Sequence, residues 1–140
     1  MLTIEKVLLL KSVDIFSGVP EEVLVALAET AREHSFAAEE AIFAEGDDGT
    51  CLYVIASGSV RIHRGGQVIA RLGPRQVFGK LSVLDPEPRS ASATAEADGN
   101  GTLLFEIGSE ALYELLSDHA EVARNIIAVL CRRLRQSGKR

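Results

Sequence analysis

Tryptophan is absent from this chain, and Phe, Tyr and Trp together make up only 5% of its 140 residues. That scarcity argues against an aromatic platform for stacking the bases of single-stranded nucleic acid. Basic charge is also in short supply. The excess of Asp and Glu over Lys and Arg leaves a net charge of −5, which disfavours nonspecific nucleic-acid binding over the surface as a whole. The one basic cluster, Arg132 to Arg140, fits a solvated helix end, where cations oppose the negative pole of the helix. No nucleic-acid contact by this chain is therefore expected. No apolar run approaches the ~20 residues needed to span a bilayer. Lys6-Val7-Leu8-Leu9-Leu10-Lys11 is too short and too soon interrupted by charge for a signal peptide. Neither membrane contact nor secretion is indicated, and a cytoplasmic location is expected. Cys51 and Cys131 stand far apart, without a C-x-x-C pair. Each lies in an apolar run, so both are expected to be buried, reduced thiols.

Catalytic and metal signals are missing as well. His34, His63 and His119 lack the common spacing of a metal site. Ser17, Ser57 and Ser59 sit in turns with no His–Asp set to make a triad. The acidic stretch Glu45 to Asp48 reads as a chain-turning loop rather than a cation site. The expectation is a non-enzyme without a metal. What remains is an ordinary globular composition, 46% hydrophobic and 25% charged, of a length that suits one domain with a substantial core.

The order of patterns predicts an α+β fold. Ile4, Val7, Leu8 and Lys11 mark a short amphipathic helix. After the loop Ser17-Gly18-Val19-Pro20, a second helix begins with Glu21 and Glu22 at its positive pole. Its apolar face is Val23, Leu24, Leu27, Ala28 and Ala31, and it is expected to end near Glu33 or His34. From Ser35 to Gly108 the pattern becomes short strands between glycine turns. Expected strands are Ala41–Ala44, Cys51–Ala56, Val60–Arg64, Gln67–Leu72, Ser90–Ala97 and Thr102–Ile107. Gly65-Gly66 forms a two-residue hairpin, and Asp98-Gly99-Asn100-Gly101 a further turn. Ser109 is placed as the N-cap of a helix. A last helix runs from about His119 or Ala120 to Gln136, with an apolar stripe of Val122, Ala123, Ile126, Ile127, Leu130 and Leu134. The reading is a single domain over 1–140: helices at about 2–34, a β-roll or jelly-roll-like barrel at about 35–108, and two C-terminal helices at about 109–136.

The segment FGKLSVLDPEPRSASATA, Phe78 to Ala95, carries the chemistry. Gly79 opens a turn whose backbone N–H groups face outward, and Arg89 follows ten residues later with small, alternating residues behind it. Exposed N–H groups beside one guanidinium suit a single phosphate. Gly79 admits close backbone approach and Arg89 offers planar, bidentate donors. Set among its neighbours, this segment resembles the phosphate-binding cassette of the cyclic-nucleotide-binding domain family, the ligand domains of catabolite activator protein and of protein kinase A regulatory subunits. Three further stretches resemble that family in the same order. They are Phe16-Ser17-Gly18-Val19-Pro20, Ile42-Phe43-Ala44-Glu45-Gly46-Asp47 and Leu52-Tyr53-Val54-Ile55-Ala56-Ser57-Gly58.

The resemblance covers nearly the whole chain and implies a role for each matching position. Arg89 would pair with the cyclic phosphate, helped by backbone donors from Gly79 to Ser82 and by the Ser90 hydroxyl. Phe78, Gly79, Lys80, Leu81, Ser82, Arg89, Ser90 and Ala91 are the ligand-binding candidates, and cAMP or cGMP is the expected ligand. Lys80 departs from the pattern. The family carries Glu there to accept the ribose 2′-hydroxyl proton, and Lys has donors but no acceptor. An alternative reading is therefore a ligand-free protein-interaction module with the same fold and a pocket altered at Lys80. The family also implies a C-terminal helix that closes over the ligand and signals to an effector, with Leu130, Arg133 and Leu134 as lid candidates. Ala123, Ile127, Leu130 and Leu134 follow four-three-four spacing, which also fits a homodimer seam. The chain stops soon after this helix without a helix-turn-helix or a kinase, channel or transporter segment. The expected settings are a stand-alone sensor, a subunit acting in trans, or a fragment of a longer protein.

Overall fold

The computed structural model describes residues 2–79, 88–96 and 101–138. They fall into two compact units, a helical one from residues 1–29 and 110–140 and a β unit from residues 30–109.

In the helical unit, α1 spans Thr3–Lys11 and is followed by a 3-10 turn, Asp14–Phe16. Helix α2 spans Glu21–Thr30. It opens on the carbonyl of Pro20, which accepts from Val23 N at 3.0 Å and Leu24 N at 3.2 Å; proline suits this place because the first helical turn leaves its N–H groups unpaired anyway. Helix α3 is Ser109–Asp118 and α4 is Ala120–Gly138. Helix α3 starts at Ser109 itself, one position earlier than the N-cap assignment placed it. Asn125 Nδ2 donates to the carbonyl of Ser17, tying α4 to the loop after the 3-10 turn. The buried face of α4 is Val122, Ile126 and Val129, at helical spacings of four and three. Val129 was absent from the expected stripe, while Ile127 and Leu134 are exposed.

The β unit is a roll of two four-stranded antiparallel sheets. One has the order β1 (Arg32–Phe36), β8 (Thr102–Gly108), β3 (Cys51–Ser57), β6 (Val77–Phe78). The other has β2 (Ala41–Phe43), β7 (Ser92–Ala95), β4 (Val60–Arg64), β5 (Gln67–Leu72). The β4–β5 hairpin turns on Gly65 and Gly66, whose φ values of 58° and 82° are those a two-residue hairpin demands. Ile55, Val60, Phe78, Ala93 and Leu104 form the core of the roll, with Phe36, Ile42, Phe43, Tyr53, Ile62 and Leu72 packed against it.

Four expectations are corrected. Helix α2 ends at Thr30 rather than near Glu33 or His34, because Arg32–Phe36 is a strand in register with Thr102–Glu106; sheet pairing overrides the weak strand propensity of REHSF. Val77–Phe78 is a strand, paired with Tyr53 and Val54, but two residues are too few for any periodicity to reveal. The strand expected over Ser90–Ala97 is narrower, Ser92–Ala95. Cys131 is exposed and only Cys51 is buried, since the apolar run around Cys131 turns a different face of α4 inward. The turn expected at Asp98–Gly101 lies outside the described residues except for Gly101.

Candidate ligand site

Arg89 is held first by its main chain. Its N–H donates to Asp47 O at 2.7 Å, and its carbonyl accepts from Gly46 N at 2.8 Å. The turn that supplies both partners closes on itself, through Asp47 N to Ala44 O at 3.0 Å and Ala44 N to Asp47 Oδ2 at 2.9 Å. Ser92 Oγ accepts from Glu45 N at 2.9 Å. The acidic stretch after β2 is thus a turn that clamps the segment leading into β7.

The side chain of Arg89 then runs inward and is only 5% exposed. Its Nη2 donates to Cys51 O at 3.0 Å and lies 3.7 Å from Cys51 Sγ. Nη1 donates to Gly79 O at 3.2 Å. The guanidinium carbon sits 4.2 Å from the centroid of the Phe43 ring and 5.9 Å from that of Tyr53. Among the described residues the buried Nε has no hydrogen-bond acceptor and no carboxylate pairs with the guanidinium. Carbonyl dipoles and ring faces ease the burial of this cation but do not neutralise it. Among the described residues the charge is uncompensated, and a buried charge without a partner is costly, so this geometry favours an incoming anion. Gly79 is essential to it: at φ 82°, a Cβ there would stand 2.6 Å from Arg89 Nη1.

The surroundings are dry. Burial, above all, pushes the Cys51 thiol up, with the Glu106 charge adding and Arg89 opposing. Burial likewise raises Tyr53 well beyond the usual phenol range, reinforced by Cys51 and Glu106. Both groups are therefore neutral at physiological pH.

The candidate residues divide on inspection. Gly79 and Arg89 are brought together, although ten positions separate them. The Phe78 ring is a core element, stacked on Tyr53 at 5.1 Å and tilted against Phe43 at 6.0 Å. Ala91 is buried. Ser90 is exposed and its carbonyl accepts from Arg64 Nε at 2.9 Å. Lys80, Leu81 and Ser82 lie outside the described residues, as does the side chain of Arg133. Leu130 is half-buried on α4 and Leu134 is 70% exposed. Phe43, Cys51 and Tyr53, which make direct contact with Arg89, were not among the candidates. The available signal was strand alternation, which puts Cys51 and Tyr53 on one face of β3.

The histidines each have a local partner. His63 Nε2 meets Thr94 Oγ1 at 2.8 Å. His34 Nε2 stands 3.4 Å from Glu106, and His119 Nδ1 3.3 Å from Glu121. Among the described residues no three His, Cys, Asp or Glu side chains gather as a metal site would require, and no helix is long and apolar enough to cross a membrane.

A family model described as the cyclic nucleotide-binding domain matches residues 33–119, from within β1 to just past the end of α3. The chain belongs to the cyclic nucleotide-binding domain family. It is 41% identical over 91% of its length to the cyclic AMP receptor protein of Thermus thermophilus, covering 60% of that protein. It is 34% identical over 88% of its length to a CRP-like cAMP-activated global transcriptional regulator of Mycobacterium tuberculosis, covering 56% of that one. The chain thus spans less than two thirds of these curated relatives. Among solved structures, the regulatory domain of Toxoplasma gondii PKA with cAMP matches at a TM-score of 0.73 and 27% identity, over 80% of this chain and 43% of that one. The α+β roll with flanking helices is therefore the cyclic nucleotide-binding fold.

Proposed function

We propose that this chain is a non-catalytic regulatory module that binds a cyclic nucleotide, cAMP or cGMP, at Arg89 and signals through movement of α4. The observation that carries the reading is the buried Arg89 guanidinium, which has neither a carboxylate partner nor an acceptor for its buried Nε among the described residues. An anionic phosphate oxygen supplies what that group lacks. Relatives named for cyclic AMP reception, and a cAMP-bound structural neighbour, support this ligand class over other phosphates. Gly79 and Ser90 would add donors around the phosphate, and Lys80, Leu81 and Ser82 would complete the cassette.

Lys80 weakens ribose selectivity in this proposal. Loss of an anionic acceptor for the 2′-hydroxyl costs roughly 1.5–3 kcal/mol, about one to two powers of ten in affinity. The sequence observation at Lys80 also favours the second reading, a ligand-free interaction module. Thermal unfolding with millimolar cAMP or cGMP separates the two. Ligand at 100 times its Kd adds about 2.7 kcal/mol of stability, and an unchanged melting temperature with both nucleotides eliminates the binding proposal. Lys80→Glu should strengthen binding if Lys80 limits affinity.

The exposed Ile127 and Leu134 of α4, in register with Ala123 and Leu130, form the proposed homodimer seam. Ile127→Glu should shift the sedimentation coefficient to that of a single copy. The effector is a separate protein or an attached domain, and contacts with nucleic acid form no part of this chain's proposed role.

A further inference from the structure

We infer that Phe43 is the positioning residue of the site: its ring fixes the plane of the Arg89 guanidinium and so sets the direction from which an anion is held. The guanidinium carbon lies over the Phe43 ring, 4.2 Å from its centroid, well inside the 5.9 Å of Tyr53. The ring is itself immobilised, tilted against Tyr53 at 6.1 Å and Phe78 at 6.0 Å and packed on the core of the roll. The turn that directly follows Phe43 holds the other end of the same residue, through Gly46 N and Asp47 O on the Arg89 main chain. One short segment, 43–47, therefore grips Arg89 at both its backbone and its guanidinium.

The choice of a ring has a chemical consequence. All five guanidinium donors lie in one plane. A carboxylate in this place would neutralise the cation and occupy those donors in the plane. A phenyl face attracts the cation from above or below the plane and uses none of them. The two Nη atoms are directed in the plane to Gly79 O and Cys51 O, which leaves the Nε edge without an acceptor among the described residues. Holding that plane fixed keeps the Nε edge in one orientation, so less side-chain freedom is lost when an anion is bound.

The affinity part of the test rests on the ligand reading above; the stability part does not. Titration calorimetry with cAMP compares wild type, Phe43→Leu and Phe43→Tyr. Removing the ring is expected to weaken binding roughly 2- to 30-fold, the range of a cation–π contact, whereas Tyr retains the affinity of the parent. Equal weakening by Leu and Tyr overturns the assignment. In parallel, urea midpoints without ligand are measured for Phe43→Leu, Arg89→Met and the double variant. The midpoint shift caused by Phe43→Leu should be smaller in the Arg89→Met background than in wild type. Additive shifts overturn the positioning role. Should wild type bind no cyclic nucleotide, the ligand reading fails, and the urea cycle alone decides whether Phe43 holds Arg89.

Discussion

Gly79→Ala offers a direct test of the packing around Arg89. The main chain at Gly79 has φ 82°, a conformation that costs an L-residue about 1–2 kcal/mol. The added Cβ stands 2.6 Å from Arg89 Nη1 and 3.2 Å from Cys51 O. The carbonyl is backbone in a strand, so the guanidinium, at the end of a flexible side chain, must give way. In doing so it loses its hydrogen bond to Gly79 O, and a bond involving a charged group is worth about 1.5–3 kcal/mol. The total is about 2.5–5 kcal/mol, and each kcal/mol lowers the melting temperature of a domain of this size by about 2–5 °C. Gly66→Ala is the matched control. Its φ is also 82°, but nothing lies within 4 Å of the added carbon. Differential scanning calorimetry on the two variants therefore separates backbone strain from displacement of Arg89. A cost for Gly79→Ala equal to that of Gly66→Ala refutes the reasoning. So does an unchanged Gly79→Ala cost once Arg89 is replaced by Met.

Other outcomes follow from the same structure. The Tyr53 phenol is raised by burial in the fold, so its neutral form stabilises the native state fully below the unfolded phenol value of about 10, and that contribution declines as pH rises beyond it. Urea unfolding at alkaline pH should show this loss in wild type and not in Tyr53→Phe. The Arg61 guanidinium holds the Glu39 carboxyl below its ordinary value through two hydrogen bonds of 2.9 and 2.8 Å. Its stabilisation is present above the ordinary carboxylate range and is lost as pH falls through the lowered value; carboxylate NMR titration should show Glu39 moving up in Arg61→Ala. Ellman's reagent should find one thiol in the native protein, exposed Cys131, and both only in denaturant.

The legible parts of this chain are those written in short-range patterns. The β4–β5 hairpin is readable because Gly65-Gly66 supplies two positive φ values between alternating strands. Strand β3 is readable because CLYVIA is buried on both faces. Gly79 and Arg89 are readable as a candidate pair because each residue type has a specific physical use there, and the structure brings the two together. The rest depends on partners remote in sequence. Nothing around Arg32–Phe36 announces a strand, which exists because β8 lies beside it. Val77–Phe78 is a strand for the same reason, through β3.

The site divides along the same line. Sequence determined the helix–roll–helix order, the turn glycines and the presence of one arginine suited to a phosphate, since these follow from residue type and short-range spacing. Tertiary structure decided that this arginine is buried, that the carbonyl of Cys51 and the ring of Phe43 hold it, and that its Nε has no acceptor among the described residues. Those contacts join strands from opposite sheets of the roll, and only closure of the two sheets brings a cation, a carbonyl and a ring to the same dry place.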